Sequence, residues 1–355
     1  MGTVYNVGLV GFGLAGSIFH APIFTGSGRF QLRAVVTSRA DEVKREYPEA
    51  DVCADYQSLL QLTDIDVVVI ASPNTSHFPI AKAALAAGKH VVIDKPWVIS
   101  SDEGKQLIAL ANEHDRLLSV YQNRRYDNDF MTLQSLIDTD TLGDIREFHS
   151  HYDRFRPVVR NRWREQNLPG SGILYDLGPH LVDQAIVLFG KPVSVTADVV
   201  AVREGGEVDD YFHIMLEYPG TRVILHSGCF VLRPQPDRFR VYGTRGSWKI
   251  DGVDPQEADL RAGKRPAGPQ SRTEWGLDTE DRHSELCSVA PDGQTAEPVR
   301  TLQNPPGDYT RYYQAFAEAL DGNGTVPVKP EDALLGLQII EAALQSSNEG
   351  RRIIL

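Results

Sequence analysis

Through the first third of the chain, short apolar runs alternate with segments of helical period. Val7-Gly8-Leu9-Val10, Phe30 to Val36, Asp66 to Ala71, His90 to Ile93 and Leu117 to Tyr121 read as strands. Runs this continuous suit a parallel sheet buried on both faces. An alanine-rich helix closing at Gly88 lies between Ala71 and His90, and the spacing predicts another helix over Ser101 to His114. Strand and helix in strict turn predict a doubly wound α/β domain.

Beyond about residue 123 the period changes. Asp144 to Arg156, Val193 to Arg203, Val208 to Tyr218 and Thr221 to Leu232 are long segments rich in β-branched and aromatic residues. The last two meet at Tyr218-Pro219-Gly220, a type II turn signal, so an antiparallel sheet is expected. An apolar helix stops at Gly190. Residues 251–298 are polar and rich in Gly and Pro and read as irregular surface loops, and helices from Asp308 to Leu320 and Glu331 to Gln345 finish the chain. The pattern predicts a Rossmann-type α/β domain over residues 1–122. An α+β domain with a mostly antiparallel sheet is expected over 123–355.

Composition narrows the partners. The net charge of -12 disfavours nucleic acid and anionic membrane surfaces. Cys53, Cys229 and Cys287 are scattered, with no C-x-x-C pair, which suits reduced thiols in a cytoplasmic protein rather than a disulfide or zinc framework. No basic stretch precedes the first apolar run, and no later segment approaches ~18 unbroken apolar residues, so neither an export signal nor a membrane span is expected.

The densest chemistry follows the first strand. Gly11-Phe12-Gly13-Leu14-Ala15-Gly16 carries the G-x-G-x-x-G spacing between a buried strand and a helix. Gly11 permits the turn, Gly13 lets the backbone approach a pyrophosphate, and Gly16 lets the helix pack on the strand. Phosphates would meet the free N–H groups of the helix start. The second strand ends in Thr37-Ser38-Arg39, where an NAD-preferring fold places an acid for the ribose 2'-hydroxyl; a hydroxyl and a guanidinium suit a 2'-phosphate, and thus NADP. Ser38 with Asp41 also fits a capping box for the next helix. Ser72-Pro73-Asn74-Thr75-Ser76-His77 and Asp94-Lys95-Pro96 both fall at the carboxyl edge of the predicted sheet. Gln122 to Asp127 is unusually polar for a connector.

In the second half, Asp176 and His180 stand four apart in Gly170 to Asp183, which on a helix puts them on one face; Gly178-Pro179 interrupts that regularity. His149, His151 and Asp153 alternate along one strand and read as an ordinary polar sheet face, with no metal expected.

The N-terminal glycine motif, Asp94-Lys95-Pro96 in place of a Glu-Lys-Pro motif, and the Asp176/His180 pair together resemble the Gfo/Idh/MocA oxidoreductases over essentially the whole chain. GFGLAGSIFHAP, NRRYDNDF and YDLGPHLVDQ most resemble the NADP-dependent scyllo-inositol dehydrogenase branch. The resemblance implies hydride exchange between NADP(H) and a cyclic polyol or its ketone, with another sugar, an aldose or an anhydroketose, as the alternative substrate. A non-catalytic NADP-binding sensor is a further alternative. The family resemblance implies a Rossmann domain followed by an α+β domain built on a large open sheet, with catalytic roles for Lys95, Asp176 and His180. Cofactor contacts are expected from Gly11, Gly13, Leu14, Gly16, Ser38, Arg39, Ser72, Asn74, His77, Asp94, Lys95 and Asn123. A homodimer or homotetramer through the C-terminal sheet is expected as well.

Overall fold

The computed structural model describes residues 2–233, 235–266 and 275–355. Six strands form the first sheet: β1 (Tyr5–Val10), β2 (Phe30–Val36), β3 (Asp51–Cys53), β4 (Val67–Ile70), β5 (His90–Ile93) and β6 (Leu118–Val120). Their order is β3-β2-β1-β4-β5-β6, and every pairing is parallel. Chain direction across the sheet reverses between β1 and β4, so the loops leaving those two strands flank the switch point where open α/β sheets bind ligands. Val67–Ile70 is wholly buried, as its unbroken apolar run requires. β2 and β5 fall on their predicted residues; β3, a three-residue edge strand without an apolar run, was not legible.

The first compact unit is not one continuous segment. It comprises residues 1–126, 256–276 and 308–334, whereas a single break after residue 122 was expected. The returning segments explain the polar connector. Arg124 is buried and pairs with Glu257, and Arg125 Nη1 donates to the Pro327 carbonyl at 3.1 Å. Tyr126 O accepts from Asp308 N. Polar side chains in such a stretch satisfy buried backbone and one another rather than water.

The second unit holds residues 127–255, 277–307 and 335–355. Its strands are β7 (Ile145–His151), β8 (Ser194–Val200), β9 (Tyr211–Tyr218), β10 (Thr221–Gly228), β11 (Asp237–Gly243), β12 (Gly246–Asp251), β13 (Ser284–Ser288), β14 (Arg300–Leu302) and β15 (Ile353–Ile354). They form one sheet in the order β14-β13-β12-β11-β7-β10-β9-β8-β15. The sheet is mixed rather than wholly antiparallel, because β7 and β10 pair in parallel. The predicted hairpin joins β9 to β10, with Thr221 opposite Tyr218 and Gly220 at φ +76°. The described part of 251–298, expected as loops alone, also contains the helix Gln256–Arg261 and the strand β13; short polar-faced strands leave little apolar signal.

One face of this sheet is covered by an 18-residue helix, Gly172–Phe189, which ends at Gly190 as expected. Phe148, Phe212, Ile214, Leu216, Val223 and Leu225 point into the resulting core with Leu174, Leu177 and Leu181. Buried Arg238 on β11 reaches Gln184 on the helix at 3.0 Å and Ser150 on β7 at 3.0 Å, a polar pin through the core. The helix begins against Asp209: Leu174 N donates to its carboxylate at 2.6 Å, and a Cβ on Gly172, at φ +89°, would lie 2.0 Å from Asp209 Oδ1.

Burial pushes the Asp209 carboxyl up to about 6, against the Leu174 N–H bond that favours the anion. The unfolded value is about 3.9, so the native state holds the proton more tightly. The stability linked to that proton is full below about pH 4 and is lost as pH rises through about 6. Asp209→Asn keeps a hydrogen-bond acceptor without the charge and should flatten the fall in Tm between pH 4.5 and 7. A variant with the wild-type slope would refute the assignment.

Candidate active site

In the first unit, β1 runs into the turn at Gly11, which adopts φ +101° and donates from its N–H to the Val36 carbonyl at 3.0 Å. A Cβ there would sit 2.6 Å from Ala71 O, and one on Gly16 would sit 2.0 Å from Gly11 O. Gly13 differs: a Cβ would meet no protein atom within 4 Å, so its backbone borders open space. Two glycines thus close the turn and the third leaves room for a ligand, the division of labour a pyrophosphate-binding turn requires. The chain then enters a wide helical turn, Ala15–His20, continuing as the helix Ala21–Gly26; Leu14 ahead of it is 48% exposed.

The end of β2 offers the expected polar groups. Ser38 and Arg39 are exposed, and none of Thr37, Ser38 and Arg39 is an acid. Ser38 does not cap the following helix: Arg39 occupies the cap position and makes no side-chain cap bond, and its guanidinium lies 3.6 Å from Glu42. The Ser38 hydroxyl remains available.

The loops after β4 and β5 are tied together by His77, which is buried, with Nδ1 3.0 Å from the Pro96 carbonyl and Nε2 2.8 Å from the Ser72 carbonyl. Both ring nitrogens face backbone carbonyls, so this side chain ties the two loops of the edge together. Burial lowers its affinity for a proton despite the nearby Asp94. Ser72 Oγ meets Ser76 Oγ at 2.7 Å, and Asn74 is buried in the short turn between them. Asp94 lies 3.6 Å from the Nε2 of fully buried His20, whose Nδ1 is 2.7 Å from Tyr313 Oη. Its Oδ1 accepts from the Lys95 N–H at 2.9 Å. Burial opposes ionisation of Asp94, yet His20, Lys95 and His77 hold its carboxyl below the usual range. Half-buried Lys95 therefore follows an anion anchored from two sides. Asn123 is buried in a single turn just past β6.

In the second unit, Asp176 and His180 occupy consecutive turns of Gly172–Phe189 and share a face. Pro179 sits in the helix interior without ending it, although proline was expected to spoil its regularity; its missing N–H costs one bond in a helix otherwise fixed by its buried face. His180 is 5% exposed. The structure adds what sequence position did not show: Asp176 Oδ2 accepts from Arg154 at 3.2 Å, and Oδ1 lies 3.6 Å from Arg164 Nε. Arg156 and Arg162 line the same hollow with Ile173 and Cys229. Burial and the neighbouring arginines lower the Arg156 pKa. Arg203, beside them, is neutralised by Asp210 at 2.7 Å and Glu165 at 3.2 Å. Five arginines within residues 154–164 were the available signal.

An N-terminal model described as "Oxidoreductase family, NAD-binding Rossmann fold" matches residues 5–122, and one described as "Oxidoreductase family, C-terminal alpha/beta domain" matches 134–355. The chain is 44% identical to the oxidoreductase YdgJ of Escherichia coli, over 99% of this chain and 98% of that protein. It is 39% identical to the scyllo-inositol 2-dehydrogenase (NADP(+)) IolW of Bacillus subtilis, over 99% and 96%. Among solved structures, the oxidoreductase yvaA of Bacillus subtilis superposes with a TM-score of 0.93 at 38% identity, covering 99% of each chain. YPO2259 of Yersinia pestis gives 0.93 at 40%, covering 100% and 98%. With a glycine turn shaped for a dinucleotide and both domain models matched, the chain belongs to the Gfo/Idh/MocA oxidoreductase family and is a dehydrogenase acting on CH–OH groups.

Proposed function

We propose that the enzyme interconverts a cyclic polyol and its ketone with NADP(H), scyllo-inositol and scyllo-inosose being the favoured pair. The observation that carries the cofactor half is the end of β2, where exposed Ser38 and Arg39 stand in place of the acid that would hold a ribose 2'-hydroxyl. The similarity to IolW, an NADP(+)-dependent scyllo-inositol 2-dehydrogenase, supports both the cofactor and the substrate. A cytoplasmic location belongs to the same reading, on the ground that Cys53, Cys229 and Cys287 are free thiols.

When bound, the nicotinamide supplies the hydride acceptor or donor. The protein's part is to move a proton and stabilise charge at the carbinol oxygen. We assign His180 the proton, because imidazole, with an ordinary pKa of about 6.5, serves as base in oxidation and acid in reduction. Lys95 polarises the reacting oxygen as alkoxide character develops. Asp176, its carboxylate oriented by Arg154 and Arg164, accepts from a neighbouring substrate hydroxyl.

Cofactor choice is read from kcat/KM with NADP and NAD. NADP should be preferred, and Arg39→Ala should raise the KM for NADP selectively. An equal or better value with NAD would overturn this half.

For the chemistry, Lys95→Ala and His180→Ala should each lower kcat on the order of a hundredfold or more, with NADPH affinity and Tm nearly kept. His180→Ala should also change the pH dependence of kcat/KM, and Asp176→Ala should raise the KM for the polyol. A folded His180→Ala enzyme turning over near the wild-type rate would refute the assignment. A panel including aldoses and anhydroketoses tests the substrate.

The sheet face opposite the helix presents half-exposed Met215 and Ile224 among polar side chains, and we place a homodimer or homotetramer contact there. Light scattering should give at least twice the 39.4 kDa chain mass at micromolar concentration; a monomer would refute it.

A further inference from the structure

The same open face carries chemistry that the dehydrogenase reaction does not use. β7 and β10 run parallel with His151 beside His226, and β9 places His213 on the far side of His226. Asp153, two residues past His151, turns back between the first two rings. His151 Nδ1 is 3.3 Å from Asp153 Oδ2, His226 Nε2 is 3.5 Å from Asp153 Oδ1, and one ligand atom from each of the three residues lies within 4.8 Å of the other two. The Asp153 side chain is 5% exposed, and those of His151 and His226 are 19% and 17% exposed.

These separations are long for charge-assisted hydrogen bonds, which close to about 2.7–2.9 Å. They lie close to the edge of a tetrahedron around zinc, whose ligands about 2.0–2.1 Å from the ion stand roughly 3.3–3.4 Å from one another, each histidine facing a different oxygen of the Asp153 carboxylate. We infer that His151 Nδ1, His226 Nε2 and the Asp153 carboxylate form a three-ligand site for a zinc-class divalent cation, separate from the proposed catalytic residues. Two imidazoles and one carboxylate are the donor set of zinc and its first-row neighbours; calcium and magnesium demand more oxygen. Asp153 Oδ1 accepts from the Gly228 N–H at 3.0 Å, which fixes the carboxylate, and the Tyr211 ring meets the His226 ring edge-on at 5.1 Å. Three protein ligands leave a fourth position for water. His149, which alternation in the sequence groups with His151 and Asp153, instead pairs with Glu147, and its place is taken by His226 from another strand. An ion here would clamp the end of β7 to β10, one residue before the Arg154 that holds Asp176.

The test is metal binding to the full chain stripped with chelator and dialysed. Zn2+ should bind at one per chain by calorimetry and raise Tm. Co2+ in its place should give the intense visible bands of a tetrahedral site. His226→Gln and Asp153→Asn should weaken Zn2+ binding on the order of a hundredfold or abolish it, whereas His149→Gln should leave it unchanged. Circular dichroism and Tm of the metal-free variants establish that each is folded. Absence of stoichiometric binding to wild type, equal affinity in folded His226→Gln, or loss of binding in His149→Gln would each overturn the proposal.

Discussion

Close approach of backbone at the first βα turn is the constraint on which the cofactor-binding unit depends. Gly16 packs so near the Gly11 carbonyl that a methyl group would lie 2.0 Å from its oxygen, and Gly11 itself abuts Ala71 at the end of β4. Those contacts set where the first helix leaves the sheet and hold the ends of β1 and β4 together at the switch point. Gly13, free of neighbours, then borders the space left for a dinucleotide. A side chain at either crowded position would separate elements that everything downstream is built against.

Charge placement governs the second unit in a comparable way. Asp176 is held by two arginines, Arg203 is neutralised by two carboxylates, and Asp209 meets the first turn of the helix that carries Asp176 and His180. Buried and half-buried ions of this density are tolerated only when each is paired or hydrogen-bonded. The hollow beside Asp176 is therefore preorganised, which is the property an orienting carboxylate needs.

The strands of the first sheet were legible because burial on both faces forces unbroken apolar runs. β2 and β5 coincide with their predicted residues, and the edge strand β3, under no such pressure, left no trace. In the second sheet the short strands β11 to β14 escaped notice because one face is polar and the turns between them are rich in Gly and Pro. The parallel pairing of β7 with β10 was invisible for a different reason: pairing between segments some seventy residues apart leaves no local period.

The sequence by itself determined the dinucleotide turn, the missing acid after β2, and the four-residue interval of Asp176 and His180, since each is a local pattern within one turn or one helix. Tertiary structure alone decided that His77 faces backbone at both ring nitrogens, that Arg154 and Arg164 grip Asp176, and that His226 rather than His149 joins His151 and Asp153. These depend on which distant segments the fold brings side by side. Side-chain partners across a sheet or between loops are set by register and burial, and neither is written into the spacing of residues along the chain.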